Sequence, residues 1–239
     1  MKSDTQKNNP ILNKLTAVLF LSVAVFFIAQ GCSEKSDKAK EIGATEQSDN
    51  SYYSWIEGLF QEITIDQFYV FSSFDFDNEN FKFKGQRMTG EQLISFPEEC
   101  WNPSTERTIY SACYKFKIDE FKMGLIIRAP GEYEQTSIQL ALFDLKKDRV
   151  IDIVYLADVF GDAGETLNYS SYLFKNEKDN IQLLKYSHTS FQEIDGPEFT
   201  EDHSYHLLDV SSNWMDTISA DSSYLMSKYP KMINQLTSL

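Results

Sequence analysis

A chain of 239 residues in which 42% of the side chains are apolar and 14% are aromatic has the composition of a folded domain, which excludes a disordered protein. The net charge is −14, and since residues 1–31 carry +2, the other 208 residues carry −16. A surface that acidic repels nucleic acid and anionic lipid head groups, so we expect no nucleic-acid partner. Cations, basic proteins and neutral ligands remain as candidate partners.

The chain begins with a basic segment that leads into an apolar run. Lys2, Lys7 and Lys14 precede residues 15–29, which carry no charge. This layout is typical of a secretory signal. The run is shorter than the ~20 residues that a helix needs to cross a bilayer. We therefore expect residues 1–31 to be an export signal and not a permanent membrane span.

The residues Ile28, Ala29, Gln30, Gly31 and Cys32 end this run in a pattern that resembles the lipobox of bacterial lipoprotein precursors. The family's commonest pattern has Leu where Ala29 stands and a small residue where Gln30 stands. The resemblance implies that diacylglycerol is attached to the sulfur of Cys32 and that signal peptidase II cuts before this residue. It also implies a membrane anchor of two or three acyl chains, and each buried methylene contributes about 0.8 kcal/mol to such an anchor.

The segment after the cysteine is polar. Residues 33–50 contain one large aliphatic side chain, Ile42, and cannot bury enough apolar surface to offset the entropy of ordering. We expect a flexible tether here, followed by a single globular domain over residues 51–239. In Gram-negative lipoproteins an Asp after the lipidated cysteine marks inner-membrane retention. Ser33 stands there, so the resemblance implies the outer membrane.

The globular part is predicted to start with an amphipathic helix over residues 52–63. Its apolar residues follow helical spacing and form one stripe, with Trp55 in the core and Ser51 or Asn50 as the cap. Residues 67–84 are predicted to be extended, with a half-exposed strand at Phe81 and Phe83. The stripe consists of Tyr52, Trp55, Ile56, Leu59, Phe60 and Ile63.

A short second helix is predicted before the main run of strands. Thr89 and Gln92 fit a capping box, and this helix is expected to reach Phe96 and to end at Pro97. At the other end of the chain, residues 221–239 indicate a capped short helix that is interrupted at Pro230.

From Ile109 the apolar residues alternate with polar ones, and short polar turns separate about seven such segments. This pattern predicts an α+β fold, mainly an antiparallel β meander that forms a curled sheet or a partial barrel, with the N-terminal helix and the short C-terminal helix beside it. The predicted strands cover residues 109–118, 121–129, 137–145, 149–160, 167–174, 180–191 and 203–210.

Two cysteines remain besides Cys32. An even pair in an oxidising compartment favours a disulfide between Cys100 and Cys113, which would contribute about 3 kcal/mol in the chain-entropy model. The alternative is two free thiols, with Cys113 buried in its strand.

Two clusters of potential metal ligands were considered. His203 and His206 are three residues apart, so in a strand their side chains point to opposite faces and cannot readily share one ion. Glu201 and Asp202 lie nearby, whereas His188 is too distant in sequence to be placed. We therefore expect no metal site.

The acids Asp75, Asp77 and Glu79 suit Ca²⁺, but Asn80 and Gln86 stand where an EF-hand has its Gly and its bidentate Glu. No calcium site is therefore expected here. A further segment, residues 158–165, holds three acids and two glycines. It is expected to be a turn in which Gly161 and Gly164 supply positive φ.

The chain lacks the GxSxG, HExxH, GxxxxGK[ST] and GxGxxG motifs. We expect no cofactor and no catalytic residue that the sequence can identify. The most direct hypothesis is a lipid-anchored, non-catalytic binding domain in the cell envelope, with an envelope protein or a glycan as the partner. The alternatives are an anchored glycan hydrolase that uses paired carboxylates and an acidic immunity-type protein that binds a basic toxin.

Overall fold

The computed structural model describes residues 51–75, 78–94, 96, 109–131, 136–193, 196–210 and 216–238. The predicted signal, Cys32 and tether lie outside these ranges and stay predictions. Within the described ranges, no helix has both the length and the apolar character that a bilayer crossing requires.

The described residues form one open, mixed sheet of eleven strands. Along its main path the strands follow the order β1-β4-β5-β6-β7-β8-β9-β10-β11, while β2 pairs with β8 and β3 pairs with β4. The strands are β1 (Gln61–Glu62), β2 (Gln67–Val70), β3 (Gln86–Arg87), β4 (Ser111–Lys117), β5 (Lys122–Ala129), β6 (Ser137–Asp144), β7 (Arg149–Asp162), β8 (Glu165–Lys175), β9 (Ile181–Gln192), β10 (Phe199–Asp209) and β11 (Asp216–Ser219).

The predicted antiparallel meander is confirmed. Strands β4 to β10 pair with their sequence neighbours in antiparallel fashion, and they match the seven predicted strands. The short polar turns favour this topology, because strands that are joined by only a few residues pair with each other in antiparallel fashion. The sequence analysis missed three short strands, β1, β3 and β11.

Strand β7 belongs to two halves of the sheet. Its first part, from Arg149 to Ala157, pairs with β6, and its last part, from Asp158 to Asp162, pairs with β8. The register with β6 shifts at two places, and such irregularities bend and twist a strand. β7 is thus the strand on which the sheet changes from one half to the other.

The predicted helix over residues 52–63 is shorter than expected. It comprises α1 (Tyr52–Ile56), capped by Ser51, and a 3₁₀ turn over Glu57–Leu59. The chain then extends, because β1 pairs in parallel with β4 and the N–H of Ile63 donates to the carbonyl of Lys115. Trp55 was expected in the core, but it is 56% exposed.

The segment between α1 and the meander is only partly as predicted. Phe81 and Phe83 are buried as the alternation indicates, but neither lies in a strand: Phe83 is in a turn and Phe81 is in irregular chain. The capping box of Thr89 and Gln92 is confirmed, and the helix that it starts is α2 (Gly90–Leu93), which ends before Phe96.

The C-terminal segment forms two short helices, α3 (Ser222–Lys228) and α4 (Pro230–Leu236). The carboxylate of Asp221 caps α3 by accepting a hydrogen bond of 2.8 Å from the N–H of Tyr224. Pro230 occupies the first turn of α4, where its missing N–H costs nothing. The predicted cap and the interruption at Pro230 are both confirmed.

Three clusters of buried side chains hold these elements together. The first combines residues of both halves of the sheet, such as Leu140 and Leu183. The second packs α1 and α2 against β4 to β6 around Phe143. The third packs α3 and α4 against β8 to β10, with Leu225 and Leu236 fully buried.

Candidate functional site

The exposed end of the second half of the sheet carries the features of a binding site. We call this region the distal sheet; it comprises the paired segments 158–162, 165–169, 187–192 and 199–204 of β7, β8, β9 and β10. The burial of side chains falls from the middle of each strand toward this end. The distal sheet therefore presents both of its faces at least partly to solvent.

The turn between β7 and β8 was expected to use two glycines with positive φ. Gly164 has φ of 95°, as expected, but the second positive φ of 48° belongs to Ala163 and not to Gly161. A side chain at Gly164 would collide with the carbonyl oxygen of Gln192, since an added Cβ would lie 2.1 Å from it. The turn is thus packed closely against the end of β9.

One face of the distal sheet carries an open pocket of about 410 Å³. Because side chains alternate along a strand, Leu167, Thr189 and Phe191 point to the same face, together with Phe160 and Asp202. We call this the pocket face. Glu165 and Asp202 line the pocket, as does Glu201, whose side chain belongs to the opposite face of β10. No basic residue lines the pocket, so its chemistry suits a neutral or cationic ligand with apolar surface.

A buried charged pair lies on the same face, nearer the middle of the strands. Burial lowers the pKa of Lys185, and the nearby carboxylate of Asp158 opposes this shift. Asp158 accepts a hydrogen bond of 2.8 Å from Thr136 Oγ1, and the Lys185 ammonium lies 4.6 Å from the centre of the Tyr169 ring. Asp158 and Lys185 therefore place opposite charges on the same face as the pocket.

The opposite face, which we call the histidine face, brings together residues that are distant in sequence. In the antiparallel register of β9 and β10, His188 lies directly opposite His203, and Ser190 lies opposite Glu201. Glu201 and His203 are two residues apart and share a face, because successive side chains of a strand alternate. The register therefore places Glu201 next to both histidine rings.

The ligand atoms of these three side chains converge. Nε2 of His188 lies 2.7 Å from Oε1 of Glu201, and Nε2 of His203 lies 3.3 Å from the same oxygen. The two imidazole rings are stacked, with centroids 4.5 Å apart and planes at 4°. The buried Nε2 of His188 has no hydrogen-bond partner of regular geometry, because the short contact with Glu201 is not directed as a hydrogen bond.

Two tyrosines form the base of the histidine face. Tyr186 and Tyr205 are buried and their rings lie 5.2 Å apart, while the hydroxyl of Tyr186 is 2.8 Å from Nδ1 of His203. Burial, aided by Tyr205 and Glu201, raises the pKa of Tyr186 to about 12. Tyr186 is therefore a neutral hydroxyl that holds the His203 ring in one orientation.

His203 and His206, the two histidines that were weighed as metal ligands from the sequence, do not come together in the structure. His206 pairs with Lys185 and lies on the face opposite His203, so their divergence is confirmed. The convergent partner is His188, whose position sequence analysis could not assign. The antiparallel register of β9 and β10 sets His188 opposite His203.

The remaining predicted site residues lie apart from the distal sheet. Cys113 is buried, and its Sγ lies 3.4 Å from the carbonyl oxygen of Phe83. Cys100 lies outside the described residues, so their disulfide stays a prediction. In the acidic loop, the carboxylate of Asp75 accepts a hydrogen bond from the N–H of Asn78, whereas Asp77 is outside the described ranges.

The comparisons with known proteins do not assign this chain to a family. No family model matches it, and no curated protein or solved structure is significantly similar to it. The residues of the distal sheet and the sequence of the leader are therefore the features from which a function can be inferred.

Proposed function

We propose that this protein is a lipid-anchored protein of the bacterial cell envelope that binds a partner through its distal sheet without catalysing a reaction. The observation that carries the binding role is the pocket face, where an open pocket of about 410 Å³ combines aromatic side chains with hydroxyls and carboxylates. Exposed aromatic residues beside polar groups are typical of binding surfaces. Phe191 is 37% exposed there.

The anchor in this proposal rests on the lipobox-like sequence that ends at Cys32. Diacylglycerol on this cysteine would hold the domain at the membrane, since several acyl chains make dissociation negligible. Residues 33–50 would then act as a tether that lets the domain reach partners in the envelope. We place the anchored protein in the outer membrane of a Gram-negative bacterium, because Ser33 and not Asp follows the cysteine.

The acidity of the chain narrows the class of partner. A charge of −16 outside the leader favours partners that are basic or neutral, since complementary charge speeds encounter and like charge opposes it. The pocket itself is lined by three acids and by no basic residue. We therefore propose a basic envelope protein, or a neutral glycan, as the partner.

The anchor is tested by metabolic labelling with an alkynyl fatty acid. The wild-type chain should take up the label and Cys32→Ser should not, while Cys100→Ser serves as the matched control and should be labelled normally. Cys32→Ser should also retain its leader, because signal peptidase II acts on the lipidated cysteine. Label in Cys32→Ser equal to that in the wild type would contradict the anchor.

The binding surface is tested by photo-crosslinking in intact cells. A photoreactive phenylalanine is placed at Phe191 in the pocket face or at Phe121, which lies in the turn after β4 and is 39% exposed against 37% for Phe191. We expect adducts of defined mass from position 191 and none from position 121. The proposal fails if both positions give the same adducts, or if position 191 gives none.

A further inference from the structure

We propose that His188, Glu201 and His203 form a binding site for a divalent first-row transition metal such as Zn²⁺. Within the described residues, this is the one group of three or more His, Cys, Asp or Glu whose ligand atoms all lie within 4.8 Å of one another. The inference goes beyond the proposed function, because Zn²⁺ binding is measured on the purified chain without a partner and can succeed or fail whether or not position 191 crosslinks to one.

The distances between the ligand atoms already approach those of a metal site. Ligands about 2.1 Å from a tetrahedral zinc ion lie about 3.4 Å from one another. The Glu201 oxygen is 2.7 Å from Nε2 of His188 and 3.3 Å from Nε2 of His203. The three ligand atoms therefore need to move by well under the length of one side chain for an ion to bind.

The stacked rings must turn when the ion binds. A metal ion has to lie near the plane of each imidazole that coordinates it, and it cannot lie in both planes of two stacked, nearly parallel rings whose centroids are 4.5 Å apart. Rotation about the Cβ–Cγ bond of histidine has a broad energy profile, and His203 is 44% exposed. The change thus needs no movement of the strands.

Tyr186 supplies the support that a coordinating histidine needs. A histidine that binds a metal through one ring nitrogen donates a hydrogen bond from the other in most metal sites. The Tyr186 hydroxyl, 2.8 Å from Nδ1 of His203, can accept that bond and so leaves the Nε2 lone pair free for the ion. Tyr186 itself is buried and therefore fixed in place; we infer that it is a positioning residue.

The ligand set selects the class of metal. Imidazole nitrogens suit Zn²⁺, Cu²⁺ and Ni²⁺, whereas Ca²⁺ and Mg²⁺ need sites built from oxygen. Two histidines and one carboxylate fill three positions of a four-coordinate ion. Glu201 and His203 face solvent, with side-chain exposures of 41% and 44%. The fourth position is therefore open to water or to a donor atom of a bound partner.

The test is isothermal titration calorimetry of Zn²⁺ binding to the full-length chain. The chain is purified in detergent with a tag that contains no histidine, and it is treated with a chelator before the titration. We expect one ion per chain. His203→Ala and Glu201→Gln should weaken binding at least about 100-fold, and Tyr186→Phe about 10-fold. Glu201→Gln keeps the size of an exposed side chain, so it tests the site even if a histidine variant does not fold.

The chain offers two matched controls on the opposite face of the same strand. His206→Ala removes a histidine three residues from His203, and Asp202→Asn removes an acid next to Glu201; both should bind Zn²⁺ as the wild type does. Failure of the wild type to bind zinc would overturn the proposal. So would equal binding by all variants, which would show that the ion is held elsewhere on the acidic surface, or an equal loss in His206→Ala.

Discussion

Asp148 accepts a hydrogen bond of 2.9 Å from the backbone N–H of Tyr53, which ties the turn before β7 to the first turn of α1. Its other carboxylate oxygen accepts a bond from the N–H of Tyr52. Amide groups at the start of a helix have no partner within the helix. Asp148 provides the missing acceptor, although it is 95 residues away from Tyr53 in sequence. The backbone of Asp148 itself lies in the left-handed region, with φ of 51°.

Replacement of Asp148 should therefore destabilise the domain through two separate effects. Asp148→Ala loses the carboxylate cap, which is worth about 1–2 kcal/mol. It also places alanine, which has no polar side chain to favour the left-handed region, at positive φ, which costs about 1 kcal/mol more. Asp148→Gly should lose only the first amount. Asp148→Asn should be intermediate between the wild type and Asp148→Ala, because its one amide oxygen can accept only one of the two hydrogen bonds from Tyr52 and Tyr53. Urea unfolding followed by circular dichroism measures the three values, and equal stability of Asp148→Ala and Asp148→Asn would refute this account.

The strands of the meander could be predicted from the sequence because each is a locally encoded pattern of alternating residues between polar turns. The first helix could not be bounded in the same way. Its apolar stripe continues to Ile63, yet the chain leaves the helix after Leu59 because the edge of β4 offers backbone hydrogen bonds to residues 61–63. Such competition between local periodicity and a distant strand edge is invisible in a single sequence.

The histidine face could not be predicted either, because it too depends on a contact between residues that are distant in sequence. His188 and His203 belong to different strands, and only the register of the hairpin makes them neighbours. The sequence analysis started the last long strand at His203, whereas β10 starts at Phe199. Glu201 was therefore assigned to a loop, and the alternation that aligns Glu201 with His203 could not be seen.

The close packing of Gly124 against Phe116 gives a second prediction about stability. It faces Phe116 across β4 and β5, and a Cβ at position 124 would lie 2.3 Å from the ring. Phe116 is 1% exposed, so its ring has little room to move. Gly124→Ala should cost about 1–3 kcal/mol through overpacking.

Two variants serve as controls for Gly124→Ala. Gly58→Ala adds the same methyl group where no atom lies within 4 Å and should leave the free energy of unfolding almost unchanged. The double variant Gly124→Ala with Phe116→Leu should be less destabilised than the sum of its single changes, because the two sites are in contact. Additive effects in this cycle would contradict the proposed clash.

Cys113 should be chemically inert in the folded protein. Burial raises the pKa of its thiol to about 12, and the residue is 5% exposed, so at pH 8 the reactive thiolate is scarce. In Cys100→Ser, which removes the predicted disulfide, iodoacetamide should leave Cys113 unmodified in the native state and modify it after unfolding. Rapid modification of the native variant would contradict the burial.

The exported wild-type chain distinguishes burial from disulfide formation. If Cys100 and Cys113 are bonded, as the sequence predicts, unfolding alone should expose no reactive thiol at position 113, and reduction should be needed as well. Mass spectrometry of non-reduced peptides should then show the two cysteines linked. A free thiol at both positions in unfolded, unreduced protein would refute the disulfide and leave the burial argument intact.

The buried tyrosines of the second half of the sheet predict a loss of stability at alkaline pH. Burial raises the pKa of Tyr69 and of Tyr186 from 10.0 to about 12, and it raises the pKa of Tyr172 as well. Each group keeps its proton longer in the folded state than in the unfolded state. Stability is therefore unaffected below pH 10 and falls as the pH rises from 10 toward 12.

Urea unfolding at a series of pH values between 9 and 11.5 measures this dependence. The fall should reach about 2 kcal/mol at most for one tyrosine whose pKa is raised by two units. Tyr69→Phe removes one such group and should make the fall shallower. The same slope in Tyr69→Phe as in the wild type would mean that ionisation of this tyrosine does not drive the alkaline unfolding.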